Sequence, residues 1–315
     1  MSVITPAAFD SITLHEKFIS VHGCRIRYLS AGSGPPLVFI HGLLGYAFSW
    51  RFNLPVLAQR FTVYALDLPG VGFSERTARP QPGLAPLASC VLGFLKKLNI
   101  LNPVLVGSSH GGAIAVMAAA HAPEEGLSIP KLVLVSPVNP WSRQGAGRAA
   151  FLGSAIGGAL LRCAGPVLRF THSYFLRRMY GDPCRIADGT LEGYDCALRP
   201  GGTLEHMLSR VRRWSSDLDE VERLLPAIAD IPTLLIWGSK DRAVPLSSAR
   251  LLISKLNNAE LAVIEGAGHL PYEEVPQPFN ELVLRFLLSE ATQSNAAGKS
   301  IEGKEAGDEN RSARL

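Results

Sequence analysis

A turn rich in glycine and serine could carry a nucleophile. Residues 107–111 read Gly-Ser-Ser-His-Gly and fit the pattern G-x-S-x-G, directly after a short apolar run and directly before an Ala-rich stretch. In a strand–turn–helix elbow of this kind the turn is so tight that flanking glycines are needed, and the central hydroxyl is lifted above the sheet edge. The pattern therefore predicts Ser109 as a nucleophile, with an unreactive Gly/Ser turn as the alternative.

A serine hydroxyl is a poor nucleophile until a base takes its proton, and the chain has eight histidines. His269 has the best context, because it lies in a loop that follows a predicted buried strand. Loops that follow parallel strands lie at the same edge of the sheet, which is also the edge predicted for Ser109. His110 adjoins Ser109, but neighbours at i and i+1 do not face each other on a helix. His41 follows another predicted strand and is weighed against a role in bracing its own turn. The histidines interpreted as surface or packing residues are His22, His121, His172 and His206.

An acid must hold the imidazole in one tautomer and stabilise its charged form. Asp241 follows the predicted strand 233–238 and is the predicted partner of His269. Asp67 lies at the same rim and competes for this role, but the turn residues around it favour capping of its own loop. Asp230 precedes a strand and so belongs to the opposite end of the sheet.

Attack on a carbonyl carbon produces an oxyanion, which needs preorganised N–H donors. The backbone N–H of His110, at the start of a predicted helix, is one such donor, and the positive end of the helix dipole favours negative charge there. The second must come from the loop after strand 37–40, which reads His-Gly-Leu-Leu-Gly over residues 41–45. We predict the main chain of Leu43 for this role, which leaves its side chain to shape the pocket.

Short apolar runs alternate with helical patterns along most of the chain. This alternation is typical of an α/β fold, in which helices cover both faces of a parallel sheet. Two segments near the start, 17–23 and 25–32, predict a β-hairpin. The predicted buried strands span 37–40, 61–66, 104–107, 131–136, 233–238 and 261–266. The predicted helices span 48–59, 84–98, 111–122, 245–256 and 276–289.

A long segment without strand runs interrupts the alternation between the predicted strands 131–136 and 233–238, and we interpret it as an inserted helical cap. The polar composition of the C-terminal end predicts a disordered tail, and the N-terminal end resembles a loose leader. The predicted units are the core at 13–138 and 226–290, the cap at 139–225, and flexible termini at 1–12 and 291–315.

The predicted cap is basic and carries an apolar stretch. It holds 11 arginines, no lysine and 5 acidic residues between Pro140 and Trp214. Residues 149–161 are apolar and rich in small side chains, which favours helices that pack on the sheet edge. Four aromatic residues follow this stretch, Phe170, Tyr174, Phe175 and Tyr180. The alternatives are the roof of an apolar substrate tunnel or a face that touches a membrane. Arg212, Arg213 and Trp214 predict a solvated helix face, with capture of a substrate carboxylate as the minority interpretation.

Length and composition exclude several classes of protein. A chain of 315 residues, 47% of them hydrophobic, can bury about 75% of the surface that it exposes when unfolded. The net charge of +4 comes without any run of lysine and arginine, so nucleic acid is not an expected partner. Five scattered cysteines without a CxxC pair, and no signal peptide, predict a cytoplasmic location. No apolar stretch approaches the roughly 20 residues of a membrane span.

The chain resembles the α/β-hydrolase superfamily, in a form that carries a cap, over about residues 13–289. The residues that carry the resemblance are His41-Gly42, 67–74, 107–111, Asp241 and Gly268-His269. Nucleophile, acid and base follow one another in the order of that family. The resemblance implies a mostly parallel eight-stranded sheet, an insertion after the sixth strand, and no cofactor. The cysteines and histidines also lack the spacing of a metal site.

We therefore predict a serine hydrolase that cleaves a carboxylic ester with an apolar acyl or alkyl group through an acyl-enzyme, with a small molecule as its partner. A serine nucleophile disfavours the haloalkane dehalogenases and epoxide hydrolases of this fold, which use aspartate. The loop at 41–45 disfavours proline iminopeptidases and many carbon–carbon bond hydrolases of ring-cleavage pathways. Two alternatives stay open: a carbon–carbon bond hydrolase of ring-cleavage products, and a low-turnover ligand receptor on the same fold.

Overall fold

Eight strands form one sheet in the part of the chain that this computed structural model describes, residues 12–78, 80–142, 146–163 and 173–289. The strands are β1 (His15–Val21), β2 (Cys24–Ala31), β3 (Pro36–Ile40), β4 (Thr62–Leu66), β5 (Val104–Ser108), β6 (Leu132–Val135), β7 (Thr233–Gly238) and β8 (Ala259–Ile264). Their order across the sheet is β1-β2-β4-β3-β5-β6-β7-β8. β2 pairs antiparallel with β1 and β4, and all further pairs are parallel. The mostly parallel eight-stranded sheet is confirmed.

The predicted helices are present, with one difference. The predicted helix at 48–59 is a 3₁₀ turn at Ala47–Trp50 followed by α1. Proline lacks an N–H and fits only the first turn of a helix, so Pro55 starts a new helix rather than continuing one. The helices are α1 (Leu54–Leu57), α2 (Ala85–Lys97), α3 (His110–His121), α4 (Ala146–Gly153), α5 (Ala155–Cys163), α6 (173–179), α7 (Thr190–Leu198), α8 (Thr203–Val211), α9 (Trp214–Ile228), α10 (Leu246–Ile253), α11 (Pro271–Glu274) and α12 (Pro276–Leu288).

Two apolar cores lie on opposite faces of the sheet. In β3, Val38 and Ile40 belong to one core, while Leu37 and Phe39 belong to the other. This division follows from strand geometry, because successive side chains point to opposite faces. Helices α2, α3, α9 and α10 contribute to the first core, and α1 and α12 to the second. The sheet is therefore covered by helices on both faces, as predicted.

The last strand is less buried than predicted. β8 lies at the edge of the sheet, and the Val263 side chain is 43% exposed, so the prediction of a buried strand over 261–266 was wrong in this respect. A short apolar run does not distinguish a central strand from an edge strand. The loop that follows β8 still leaves the sheet at its carboxyl edge, next to the loop that follows β7.

A helical insertion connects β6 to β7. Helix α4 packs on α5, α8 and α9, whereas Ile156 and Leu160 of α5 are exposed. Helix α9 packs against α3 and contributes Leu218 and Val221 to the first core. The predicted boundary at residue 225 therefore falls inside a continuous helix, and the division into core and cap stays a prediction.

Some predictions concern residues outside the part of the chain that the structure describes. The predicted flexible termini, 1–12 and 291–315, lie outside the described residues apart from Ile12, and so does His172. Within the described ranges, no helix combines the length and the apolar character that crossing a bilayer requires.

The elbow between β5 and α3 is crowded by backbone. A Cβ atom on Gly107 would lie 2.5 Å from the carbonyl oxygen of Gly111, and one on Gly111 would lie 2.3 Å from that of Ile40. Ser109 has a φ of 53°, in the left-handed region that non-glycine residues rarely occupy. The glycines of the motif therefore allow α3 to approach β3, and this approach sets the place of Ser109.

Gly111→Ala should lower the free energy of unfolding by about 1–3 kcal/mol, because the added methyl group meets backbone that cannot move aside without displacing α3. Urea denaturation followed by circular dichroism measures the effect. The matched control is Gly147→Ala in α4, where an added Cβ has no neighbour within 4 Å. The control should be neutral or slightly stabilising, since alanine favours helix. Equal stability of the Gly111→Ala variant and the native protein would contradict the steric argument.

Candidate active site

Ser109 and His269 line the same cavity, which has a volume of about 270 Å³. Ser109 follows β5, and His269 lies in the loop between β8 and α11. The backbone N–H of Ser109 donates to the carbonyl oxygen of Val135 at the end of β6, 2.9 Å away, which anchors the elbow to the neighbouring strand. The carboxyl edge of the sheet thus brings together two residues that the sequence separates by more than half of the chain.

The imidazole of His269 is held by a carboxylate. Its Nδ1 lies 2.8 Å from Oδ2 of Asp241, and both side chains are buried. The other carboxylate oxygen of Asp241 accepts the backbone N–H groups of Ala243 (2.8 Å) and Val244 (2.9 Å). Because Nδ1 faces the carboxylate, Nε2 is the ring nitrogen left for another group. The structure therefore brings the predicted base and the predicted acid together.

Two effects act on the pKa of Asp241 in opposite directions. Burial raises the pKa of this carboxyl, whereas the nearby His269 and the hydrogen bonds lower it, and the balance lies below its ordinary value. The carboxylate is therefore charged at neutral pH. A charged acceptor fixes the proton of His269 on Nδ1 and favours the imidazolium form when Nε2 takes up a proton.

The competing candidates for acid and base have bracing roles. Asp67 accepts the backbone N–H groups of Ala47 and Phe73, each at 2.8 Å, and pairs with Arg27 at 3.2 Å. His41 accepts the N–H of Leu68 on Nε2 at 3.0 Å, and its Nδ1 donates to the carbonyl oxygen of Gly42, 2.7 Å away. Nε2 of His41 thus joins its loop to the loop of Leu68, and Nδ1 braces its own turn, as the bracing interpretation predicts.

Two backbone N–H groups near Ser109 could stabilise an oxyanion. Leu43 lines the cavity, and His110 is the first residue of α3, where helix N–H groups lack acceptors within the helix. Among the described residues, neither N–H donates a hydrogen bond to a protein acceptor. Both predicted donors are therefore available to a ligand.

The walls of the cavity include residues of the helical insertion, of which only Phe175 was singled out in the sequence. Phe175, Leu176 and Met179 of α6 and Tyr194 of α7 contribute to the lining. The aromatic residues between 170 and 180 were a signal for this, but which of them face the cavity depends on how the insertion packs. Among the described lining residues none is lysine or arginine. The cavity is therefore mostly apolar. Arg212 and Arg213 are exposed elsewhere, in the turn between α8 and α9, and Trp214 is half-buried against His110, so the predicted solvated helix face was wrong in these respects.

A buried polar chain begins at two residues of the cavity wall, Ser49 and Tyr194. Ser49 lies 2.9 Å from the hydroxyl of Tyr194, which in turn donates to Glu273. Glu273 also accepts from Arg51 at 2.9 Å and from Tyr180 at 3.1 Å. Burial raises the pKa of Glu273, and the charge of Arg51 and the hydrogen bonds from Tyr194, Arg51 and Tyr180 oppose this effect. In the described ranges, no group of His, Cys, Asp and Glu side chains is arranged to hold a metal ion.

The side chain of His110 points away from this cavity, toward α9. Its ring stacks on Trp214 with centroids 6.3 Å apart, and neither ring nitrogen has a hydrogen-bond partner among the described residues. Burial, with a smaller contribution from the charge of Arg210, lowers the pKa of His110 to about 3. His110 is therefore neutral in the folded protein, and only its backbone takes part in the candidate site.

Comparison with known proteins agrees with this architecture. A sequence model described as the alpha/beta hydrolase family matches residues 37–282. The chain is 33% identical over 279 residues to the dihydrolipoyllysine-residue acetyltransferase component of the acetoin cleaving system of Pseudomonas putida, across 85% of this chain and 68% of that protein. It is 30% identical over 272 residues to 2-hydroxymuconate semialdehyde hydrolase of Pseudomonas sp. (strain CF600), across 84% and 91%. The crystal structure of Cfl2 from Burkholderia cenocepacia has a TM-score of 0.75 at 24% identity, covering 87% of this chain and 95% of that one.

His110→Phe should weaken the dependence of stability on pH between pH 4.5 and 6. In this window the unfolded histidine, with a pKa near 6.5, holds a proton that the folded one, with a pKa of about 3, does not. The free energy of unfolding of the native protein therefore falls as the pH falls. In the variant this slope should be smaller by roughly 1.4 kcal/mol per pH unit, which corresponds to about one proton.

Urea unfolding at several pH values measures the two slopes. Between pH 7.5 and 8.5 the slopes should coincide, because a histidine is neutral in both states, and this range is the internal control. Identical slopes below pH 6 would show that His110 takes up a proton in the folded state.

Proposed function

Because the chain belongs to the alpha/beta hydrolase family, we propose that it hydrolyses a carboxylic ester with an uncharged, apolar acyl or alkyl group, using Ser109, His269 and Asp241. It is an enzyme of the hydrolase type. The observation that carries the proposal is the arrangement of His269, which is bonded to Asp241 through one ring nitrogen and shares a cavity with Ser109.

The proposed reaction has two halves. Nε2 of His269 takes the hydroxyl proton as Ser109 forms a bond to the ester carbon, and the carbonyl becomes an oxyanion beside the N–H groups of Leu43 and His110. The imidazolium then gives this proton to the leaving alcohol oxygen, and the acyl-enzyme remains. In the second half a water molecule gives its proton to Nε2, attacks the acyl carbon, and releases the acid as Ser109 recovers its proton.

The lining of the cavity supports an uncharged substrate. Its described walls are mostly apolar, with side chains such as Leu44, Leu176 and Leu270, and they offer no lysine or arginine to a carboxylate. Burying an unpaired charge is costly, whereas an alkyl chain gains about 0.8 kcal/mol for each buried CH₂ group. Selectivity for apolar esters follows from this difference.

A second candidate function is hydrolysis of a carbon–carbon bond in a ring-cleavage product. The similarity to 2-hydroxymuconate semialdehyde hydrolase favours it, since that match covers 84% of this chain. The same nucleophile, base and acid would serve, with a ketone carbon in place of the ester carbon. The third candidate, a ligand receptor with little turnover, would use the cavity without the chemistry, and a large rise in melting temperature with ligand at near-zero turnover would support it.

Ser109→Ala should lower kcat for short p-nitrophenyl esters about a million-fold, and Asp241→Asn about ten-thousand-fold, because the first removes the nucleophile and the second the acceptor that fixes the tautomer of His269. Release of p-nitrophenolate measures turnover. A fluorophosphonate should label the native protein but not the Ser109→Ala variant. Thermal unfolding of each variant is the control for folding. Full esterase activity of the Ser109→Ala variant would refute the assignment.

The native enzyme should hydrolyse p-nitrophenyl butanoate at least about a hundredfold more efficiently than the monoester of butanedioic acid with p-nitrophenol, because the latter brings an unpaired carboxylate into the apolar cavity. The measurement is kcat/KM for both esters, with their rates in alkaline buffer as the control for intrinsic reactivity. Equal values would contradict selection against charge. If the enzyme hydrolyses a ring-cleavage product, followed by the loss of its absorbance, faster than any ester, the second candidate function would be established instead.

A further inference from the structure

A buried arginine of the helical insertion contacts the loop that carries Leu43. Arg210, near the end of α8, has 2% of its surface exposed. Its Nη1 donates to the carbonyl oxygen of Leu43 at 3.2 Å, and its Nη2 donates to that of Pro69 at 2.6 Å. The guanidinium group therefore joins two loops at the carboxyl edge of the sheet, following β3 and β4, and does so from outside the cavity.

Arg210 lacks the partner that a buried cation usually has. Among the ion pairs of the described residues none includes it, and its hydrogen bonds go to neutral carbonyl groups. Burial lowers its pKa to about 10, so it remains charged at neutral pH. Replacing buried charges by apolar residues of similar volume is often neutral or stabilising. Stability alone therefore does not account for an arginine at this position.

The contact with Leu43 restrains a peptide that could otherwise rotate. Residues 42–45 form a turn closed by a hydrogen bond of 3.1 Å from the N–H of Gly45 to the carbonyl oxygen of Gly42. The two common turn types differ in the orientation of the central peptide, which here joins Leu43 to Leu44. Arg210 holds the carbonyl oxygen of this peptide. Rotation would release that oxygen, and an oxygen turned toward the cavity would repel an oxyanion.

The same charge lies close to the second donor. Arg210 contributes to the lowering of the pKa values of both His41 and His110, so its field reaches the residues that flank Ser109 in space and in sequence. A fixed positive charge in a site that excludes water stabilises negative charge that develops during the reaction, and it needs no reorganisation at that moment. The desolvated guanidinium group is therefore suited to this electrostatic role.

We propose that Arg210 is a positioning residue for the oxyanion: it fixes the Leu43–Leu44 peptide and places a buried positive charge behind the N–H donors of Leu43 and His110. The inference rests on the proposed function, because it assumes that an oxyanion forms at Ser109. It assigns to the insertion a part in the reaction besides covering the cavity.

Arg210→Met should lower kcat for p-nitrophenyl esters about ten- to a hundredfold, less than the loss expected for a direct donor, while KM changes by no more than about twofold. The melting temperature should stay the same or rise, because a buried charge has been replaced by an apolar side chain of similar length. If Arg210 had a purely structural role, the Arg210→Met variant would show a lower melting temperature and an unchanged kcat. The matched control is Arg212→Met, at an exposed arginine two residues further along the chain, which should leave kcat unchanged.

Two further measurements test the oxyanion specifically. The inhibition constant of a boronic acid, which forms a negatively charged adduct with the serine, should rise by the same factor as kcat/KM falls. Arg210→Lys should lie between the native protein and the methionine variant, since an ammonium group keeps the charge but cannot form the same two-pronged contact. If the methionine variant does not fold, the lysine variant carries the test, and native kcat in it would overturn the proposal.

Labelling by a fluorophosphonate separates this inference from the proposed function. If the native protein labels at Ser109 and the Arg210→Met variant labels at the same rate with native kcat, Arg210 has no part in the reaction although the proposed function stands. If the native protein does not label, both fail together. Slower labelling of the Arg210→Met variant, with an unchanged melting temperature, is the expected result.

Discussion

The hydrogen bond between His269 and Asp241 depends on two parallel strands ending side by side. Gly238, the last residue of β7, is in register with Ile264, the last residue of β8. Asp241 lies three residues beyond one strand end and His269 five beyond the other, so two short loops suffice to bring them to 2.8 Å. Parallel pairing is thus the constraint on which the candidate site depends, since antiparallel neighbours would carry these loops to opposite edges.

The helical insertion is built into both halves of the candidate site. On one side the N–H of His269 donates to the carbonyl oxygen of Met179 at 2.6 Å. Glu274 accepts the N–H of Gly268 at 2.7 Å together with that of Gly181 at 2.9 Å. On the other side Arg210 holds the loop of Leu43. Movement of the insertion would therefore displace the proposed base and the proposed oxyanion donors as well as open the cavity, which would tie substrate entry to the geometry of the proposed reaction.

The residues that the sequence could identify are those positioned by local rules. Short apolar runs located the strands, and the glycines of the elbow located Ser109, because both reflect neighbours along the chain. The exposed edge of β8, the stacking of His110 on Trp214 and the burial of Arg210 were not predictable, because each depends on which distant element packs there. Arg210 illustrates the point: it lies in the last turn of α8 and is buried, whereas Arg212 and Arg213, which follow the end of this helix, are exposed.

Among the described residues, the distribution of charge around the cavity favours negative charge near the loop of Leu43. Buried carboxylates on the insertion side have their own donors, as Glu273 has with Arg51 and two tyrosines. His41 and His110 are held neutral, so neither adds a charge of its own. The guanidinium of Arg210 is left without a carboxylate among the described residues, directly behind the loop of Leu43. In a medium of low polarity an uncompensated cation attracts negative charge that appears nearby, and in the proposed reaction that charge is the oxyanion formed when Ser109 attacks.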